Sequence, residues 1–153
     1  MMRRSVIAVT VGLGMVVPFV WALPSRETPS AQAPARDAFK EGYQHQKAKR
    51  FKEAICSYEE SIREDPQQAE ALNNLGFCYK NLKEYDKAIG YYQRALAINP
   101  KLAEAHEYLG EAYLGLGKLE LATQEYETLR TLNPQEAREL KDRIDVFAKS
   151  SSR

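Results

Sequence analysis

The sequence has little with which to do redox or metal chemistry. Cys56 and Cys78 are its only cysteines, and His45 and His106 its only histidines. No Cys-x-x-Cys or Cys-x-x-Cys-His occurs, so neither a dithiol redox centre nor haem attachment is indicated. The two histidines lack the close ligand spacing of a zinc site, and no metal or cofactor is expected. A surplus of either charge is also missing, with 22 Lys+Arg against 21 Asp+Glu. A near-neutral chain has no electrostatic footprint for nucleic acid.

Long apolar runs are absent except at the start. Residues 5–22 follow Arg3-Arg4 and are apolar but for Ser5 and Thr10. A positive segment before an apolar one reads as an export signal. Val20-Trp21-Ala22 suits cleavage, yet the run approaches the ~20 residues that span a bilayer, so an uncleaved anchor stays open. Both readings place the domain in the periplasm or another extracytoplasmic space, with the arginines left inside. Residues 23–34, LPSRETPSAQAP, read as a mobile linker.

What the chain has instead is repetition. A shift of thirty-four residues superimposes Gly42, Gly76 and Gly110. The same shift aligns Ala54/Ala88/Ala122, Tyr58/Tyr92/Tyr126 and Pro66/Pro100/Pro134. The copies are 35–68, 69–102 and 103–136, and a fixed period of this size signals a repeat architecture. Leu72, Leu75 and Tyr79 fall on one helical face, and Ala88, Tyr92 and Ala95 on the next. Gly76 and Ala88 are small, so the two helices can approach closely. A helical Gly costs about 1 kcal/mol relative to Ala, which argues for a packing demand at that phase. Asp65-Pro66, Asn99-Pro100 and Asn133-Pro134 end the units. Each Asp or Asn is expected to cap the next helix, with Pro as its first residue.

The middle copy reads Leu72-x-x-Leu75-Gly76-x-x-Tyr79, then Ala88-x-x-x-Tyr92, then Pro100. This resembles the tetratricopeptide repeat, with Leu72 in place of the opening Trp and Tyr92 in place of the Phe. The resemblance implies an all-α superhelix of three helix-turn-helix hairpins. The first copy is the most degraded: Glu41 stands where the second has Leu75, and Ser61 replaces Ala95. A terminal unit needs a polar outer face, which explains Glu41. After Pro134 the period stops, but Ala137, Leu140, Ile144 and Phe147 keep helical spacing. Residues 137–149 therefore resemble a capping helix, with 150–153 a fraying tail.

Catalysis is not indicated, because paired-carboxylate or Ser–His–Asp chemistry needs a pocket that such hairpins do not provide. The repeat phases argue against a disulfide, since Cys78 lies on an inward stripe and Cys56 at a mostly exposed phase. The resemblance points to a non-enzymatic protein-binding scaffold with a concave groove lined by first helices. Carried onto this sequence, the groove positions include Phe39 and Tyr43 of the first copy. The second copy supplies Asn73, Phe77, Lys80 and Asn81, and the third Glu104, Glu107 and Glu111. Exposed aromatics there would anchor a partner, and the glutamates would form an acidic stripe. Of the basic and polar residues with which family co-chaperones grip a carboxylate, Asn74 matches one position, but Phe39 and Tyr43 replace the pair on the first copy and Glu104 and Tyr108 the pair on the third. An extended or helical protein segment of apolar or basic character is the expected partner. The competing reading is a structural subunit that assembles through edges, its convex face or self-association, with exposed Tyr91 and Gly90 as contacts.

Overall fold

The computed structural model describes residues 32–151, so the expected signal or anchor and residues 23–31 of the expected linker lie outside it. Among these residues seven helices follow one another: α1 Gln32–Lys47, α2 Phe51–Glu64, α3 Ala69–Asn81, α4 Tyr85–Ile98, α5 Ala103–Gly115, α6 Leu119–Leu132 and α7 Pro134–Ser151. Helix α1 takes in residues 32–34, which composition had assigned to the linker. Pro34 is tolerated in that first turn because its missing N–H would have had no helical partner there. Helix α7 likewise reaches beyond the expected 137–149 at both ends. Among the described residues no helix is long and apolar enough to cross a membrane.

Helices pair as hairpins α1–α2, α3–α4 and α5–α6, and the repeated glycines set their spacing. A methyl group on Gly42 would stand 2.8 Å from the Tyr58 ring. The third unit departs from this pattern. Gly110 faces Leu140 of α7, 2.7 Å from its would-be methyl, while Tyr126 at the corresponding phase is only partly buried.

The turn inside each hairpin has one conformation. Lys49, Lys83 and Gly117 lie thirty-four residues apart and all have left-handed backbone, with φ of 58°, 63° and 73°. The following amides reach back five residues, Arg50 N–H to His45 O, Glu84 N–H to Tyr79 O and Lys118 N–H to Tyr113 O. Each is a Schellman cap, which needs a left-handed residue at this place and suits glycine best.

Between hairpins the expected caps are replaced at two of three sites. Asp65, Asn99 and Asn133 each accept the amide of the second residue on through a side-chain oxygen, at 3.1–3.2 Å. After Asp65 and Asn99 the backbone closes a tighter turn (Gln68 N–H to Asp65 O, Leu102 N–H to Asn99 O), and the next helix starts four residues on, at Ala69 and Ala103. At Asn133 the bond runs to Ala137, so Pro134 is the first residue of α7 and Asn133 also accepts from Glu136 N–H at 3.4 Å.

Stacking gives the array its curvature. Helix α3 approaches both α1 and α5, whereas α4 approaches neither α2 nor α6. First helices therefore crowd on the inner side while second helices splay apart on the outer. Helix α7 lies against α6 as α5 lies against α4, but it leans further over α5 than α3 does. Two cores result: a small one of Ala54, Tyr58, Leu75 and Cys78, and a larger one around Tyr92, Leu109, Leu129 and Leu140.

Candidate functional site

The inner face divides into an open half on α1 and α3 and a covered half on α5. Tyr43 is the most exposed aromatic of the open half, at 44%, with Lys47 Nζ 5.6 Å from its ring centre. Phe39 is half-buried, its ring 5.7 Å from Tyr58. Phe77 belongs to a run of ring contacts, 6.3 Å from Phe51 and 5.2 Å from Tyr108. Of the three aromatics expected to stand exposed, Tyr43 alone does, because Phe39 packs on Tyr58 and Phe77 on Phe51 and Tyr108. Asn81 is exposed and donates to Phe77 O at 2.8 Å. Asn73 is buried, 2% exposed, and its Oδ1 has no partner.

The three glutamates of α5 do not form a solvated stripe. Glu104 is exposed, Glu107 is 7% exposed, and Glu111 is bonded on two sides, to Lys80 from α3 and to Arg143 from α7. The lean of α7 over α5 brings Arg143 there. Lys80 Nζ also lies 4.4 Å from the centre of the Tyr108 ring and 5.1 Å from that of Phe77. Burial and the Arg143 guanidinium pull the Lys80 ammonium below the ordinary lysine range, while the Glu107 carboxylate opposes them. Burial pushes the Glu107 carboxyl up, Arg143 opposes this, and the fields of Glu136 and Glu139 add to it. Glu136 Oε2 is buried without a partner, and burial and Glu104 raise its pKa. Beside Arg143 lies an open, mainly apolar cleft of about 570 Å³, lined by Tyr85 of α4, Leu114 of α5 and Val146 and Phe147 of α7.

Sequence reasoning missed Arg143, Phe51 and the burial of Glu107. Arg143 lies outside the three repeats, so no copy flags its phase. Tyr91, expected to stand free, is partly buried: its ring stacks on Tyr79 at 5.4 Å and 1°. His106 has acceptors at both ring nitrogens, Glu125 Oε2 at 2.7 Å from Nδ1 and Pro100 O at 3.1 Å from Nε2. That arrangement suits the doubly protonated ring, and the hydrogen bond to Glu125 raises its pKa. His45 lies 3.6 Å from Glu41. Cys56 is exposed, Cys78 buried, and both are free thiols.

Two family profiles, each described as tetratricopeptide repeat, match residues 69–102 and 91–124. No curated protein sequence matches the chain. Solved structures match well. The first TPR domain of human RPAP3 superimposes with a TM-score of 0.74 at 27% identity, covering 79% of this chain and 97% of that one. The fold is a tetratricopeptide-repeat superhelix. A structure titled first TPR of Spaghetti (RPAP3) bound to HSP90 peptide SRMEEVD is 25% identical, with a TM-score of 0.71 over 78% of this chain and 94% of its own. The TPR domain of Arabidopsis OM64 matches with a TM-score of 0.72 at 20% identity, covering 75% and 97%.

Proposed function

We propose that this tetratricopeptide-repeat chain is a non-enzymatic interaction module that holds a protein segment, extended or helical, on the α1–α3 half of its inner face. The observation that carries this reading is Tyr43, a large ring left exposed on the crowded side of the superhelix. Rings that stay rigid and half-wet make good anchors, because little side-chain entropy is lost on contact. The relative at 25% identity that is titled as peptide-bound supports the use of the fold. This chain differs from a carboxylate grip, with Phe39 and Tyr43 on the first copy and Glu104 and Tyr108 on the third. The carboxyls of Glu104, Glu107, Glu136 and Glu139 influence one another at one end of the face. An apolar segment with a basic residue at that end fits best.

Short peptides selected on the full chain from a display library, then titrated calorimetrically, test the site. Tyr43→Ala should weaken binding about tenfold, some 1.4 kcal/mol, without lowering thermal stability. Phe39→Ala is a poorer probe, since losing its contact with Tyr58 would cost stability as well. Unchanged affinity in Tyr43→Ala moves the site away from the inner face.

The same proposal places the domain outside the cytoplasm, on the strength of Arg3-Arg4 and the apolar residues behind them. A reporter active only after export, joined behind Arg153, should be active. A silent reporter would sink export while leaving the groove untouched.

A further inference from the structure

Gly90 is the one described glycine whose smallness serves nothing inside the chain. Gly42, Gly76, Gly110 and Gly115 each face a side chain that a methyl group would meet at under 3.0 Å. Gly117 supplies a left-handed turn. A methyl on Gly90 would meet nothing within 4 Å, and the residue is exposed in the middle of α4. Such a glycine costs a helix roughly 1 kcal/mol relative to Ala. Glycine also permits close approach of another backbone, and none among the described residues makes one here.

The residues around it carry a pattern. Lys83, Asp86, Lys87, Gln93, Arg94 and Ala97, at three, four and seven residues on either side, are all exposed. Lys87 pairs with Glu84 at 2.5 Å. Among the described residues Asp86 and Arg94 have no ion-pair partner, although the Arg94 guanidinium lies 5.4 Å from the centre of the Tyr91 ring. The stacked Tyr79 and Tyr91 rings and Gly90 line an open depression of about 360 Å³, together with Asp86, Lys87 and Arg94. Among the described residues α4 approaches neither α2 nor α6.

We propose that α4 packs antiparallel against α4 of a second copy of this chain, about a two-fold axis passing between the two glycines. In that arrangement the residue four before Gly90 meets the residue four after it on the other copy. Asp86 then faces Arg94 of the second copy and Arg94 faces Asp86, two identical pairs from one symmetry operation. The row Asp86–Gly90–Arg94 follows the i±4 ridge that sets the commonest helix crossing. Opposite charges placed symmetrically about a glycine are what a self-complementary face requires, and a different partner would require no such symmetry. One helix crossing is smaller than a standard stable interface, so the dimer is weak and concentration-dependent. The proposal is independent of the groove reading.

Sedimentation velocity on the full chain over a concentration series tests it, with circular dichroism to verify folding. The wild type should move from monomer towards dimer. Asp86→Arg and Arg94→Asp should each weaken association about tenfold or more, because each sets two like charges against each other. The double reversal should restore it to within about threefold, because the pairs re-form with signs exchanged. A wild type that stays monomeric throughout, single reversals without effect, or a double reversal that fails to rescue would each overturn the proposal.

Discussion

A methyl group on Gly76 would stand 2.7 Å from Cε1 of Tyr92, a ring with no solvent exposure. The ring cannot swing aside, because its own face is packed into the larger core. Gly76→Ala is expected to cost about 1–3 kcal/mol through overpacking, against the roughly 1 kcal/mol of helix propensity that the change returns. Gly90→Ala meets nothing and should stabilise the fold by about 0.5–1 kcal/mol. Thermal melts of the two variants should move in opposite directions. A shared direction would remove the packing account of the repeated glycine.

His106 gives the third repeat a pH dependence. Its folded pKa is raised, chiefly by the hydrogen bond to Glu125 and further by the Pro100 carbonyl, against the opposing effect of burial. A raised folded pKa means the contribution is fully present below the unfolded value of about 6.5 and is lost as pH rises through the folded one. Glu125→Gln should therefore narrow its stability deficit relative to wild type as pH rises from roughly 6 to 9. Parallel melting curves across that range would show that the ring does not titrate as charged.

The two partners of Glu111 should respond unequally. Arg143 is half-exposed, and its pair is expected to contribute no more than about 1 kcal/mol. Lys80 and Glu111 are both largely buried, with side-chain exposures of 13% and 14%. Removing the carboxylate leaves the ammonium without its closest compensation, so Glu111→Ala should cost about 2–3 kcal/mol. Urea denaturation of Glu111→Ala and Arg143→Ala ranks them. Equal losses would mean that α7, and not Lys80, is what Glu111 holds.

Thiol reactivity separates the cysteines. Burial pushes the Cys78 thiol up to about 12, whereas Cys56 lies exposed on the outside of α2. A disulfide-exchange reagent at neutral pH should titrate one thiol quickly in the folded chain and the second only on unfolding. Two fast thiols would show that the small core around Cys78 opens readily.

The sequence revealed the repeated unit because hairpin packing constrains single phases: a glycine where a ring must fit, an alanine opposite it, a proline where the helix stops. It also held an unused sign of the left-handed turn, since Gly117 marks the phase at which Lys49 and Lys83 take that conformation. What stayed hidden depends on neighbours outside the period. Glu107 is buried, and Glu111 gains Arg143 as a second partner beside Lys80, where α7 leans over α5, and no copy of α7 exists for comparison. Phase gives the direction of the Tyr91 Cβ, but not that the Tyr79 ring reaches across to stack on it. Exposure was thus legible at Tyr43 and Asn81, whose surroundings are local, and misread where a further helix intervenes.

Lys49 and Gly117 perform the same turn at different cost. The left-handed conformation costs a residue with a side chain about 1 kcal/mol or more and glycine almost nothing. The first hairpin combines that strain with the small core, while the last has the relaxed turn, the large core and the added cover of α7. In a stacked array each unit contacts only its neighbours, so such differences are not averaged over the chain. Backbone amides of α1 and α2 should exchange with heavy water through brief openings that leave α5 to α7 closed. Tyr43 rides on the part that opens, so an occupied inner face would be recorded as slowed exchange at that end of the array.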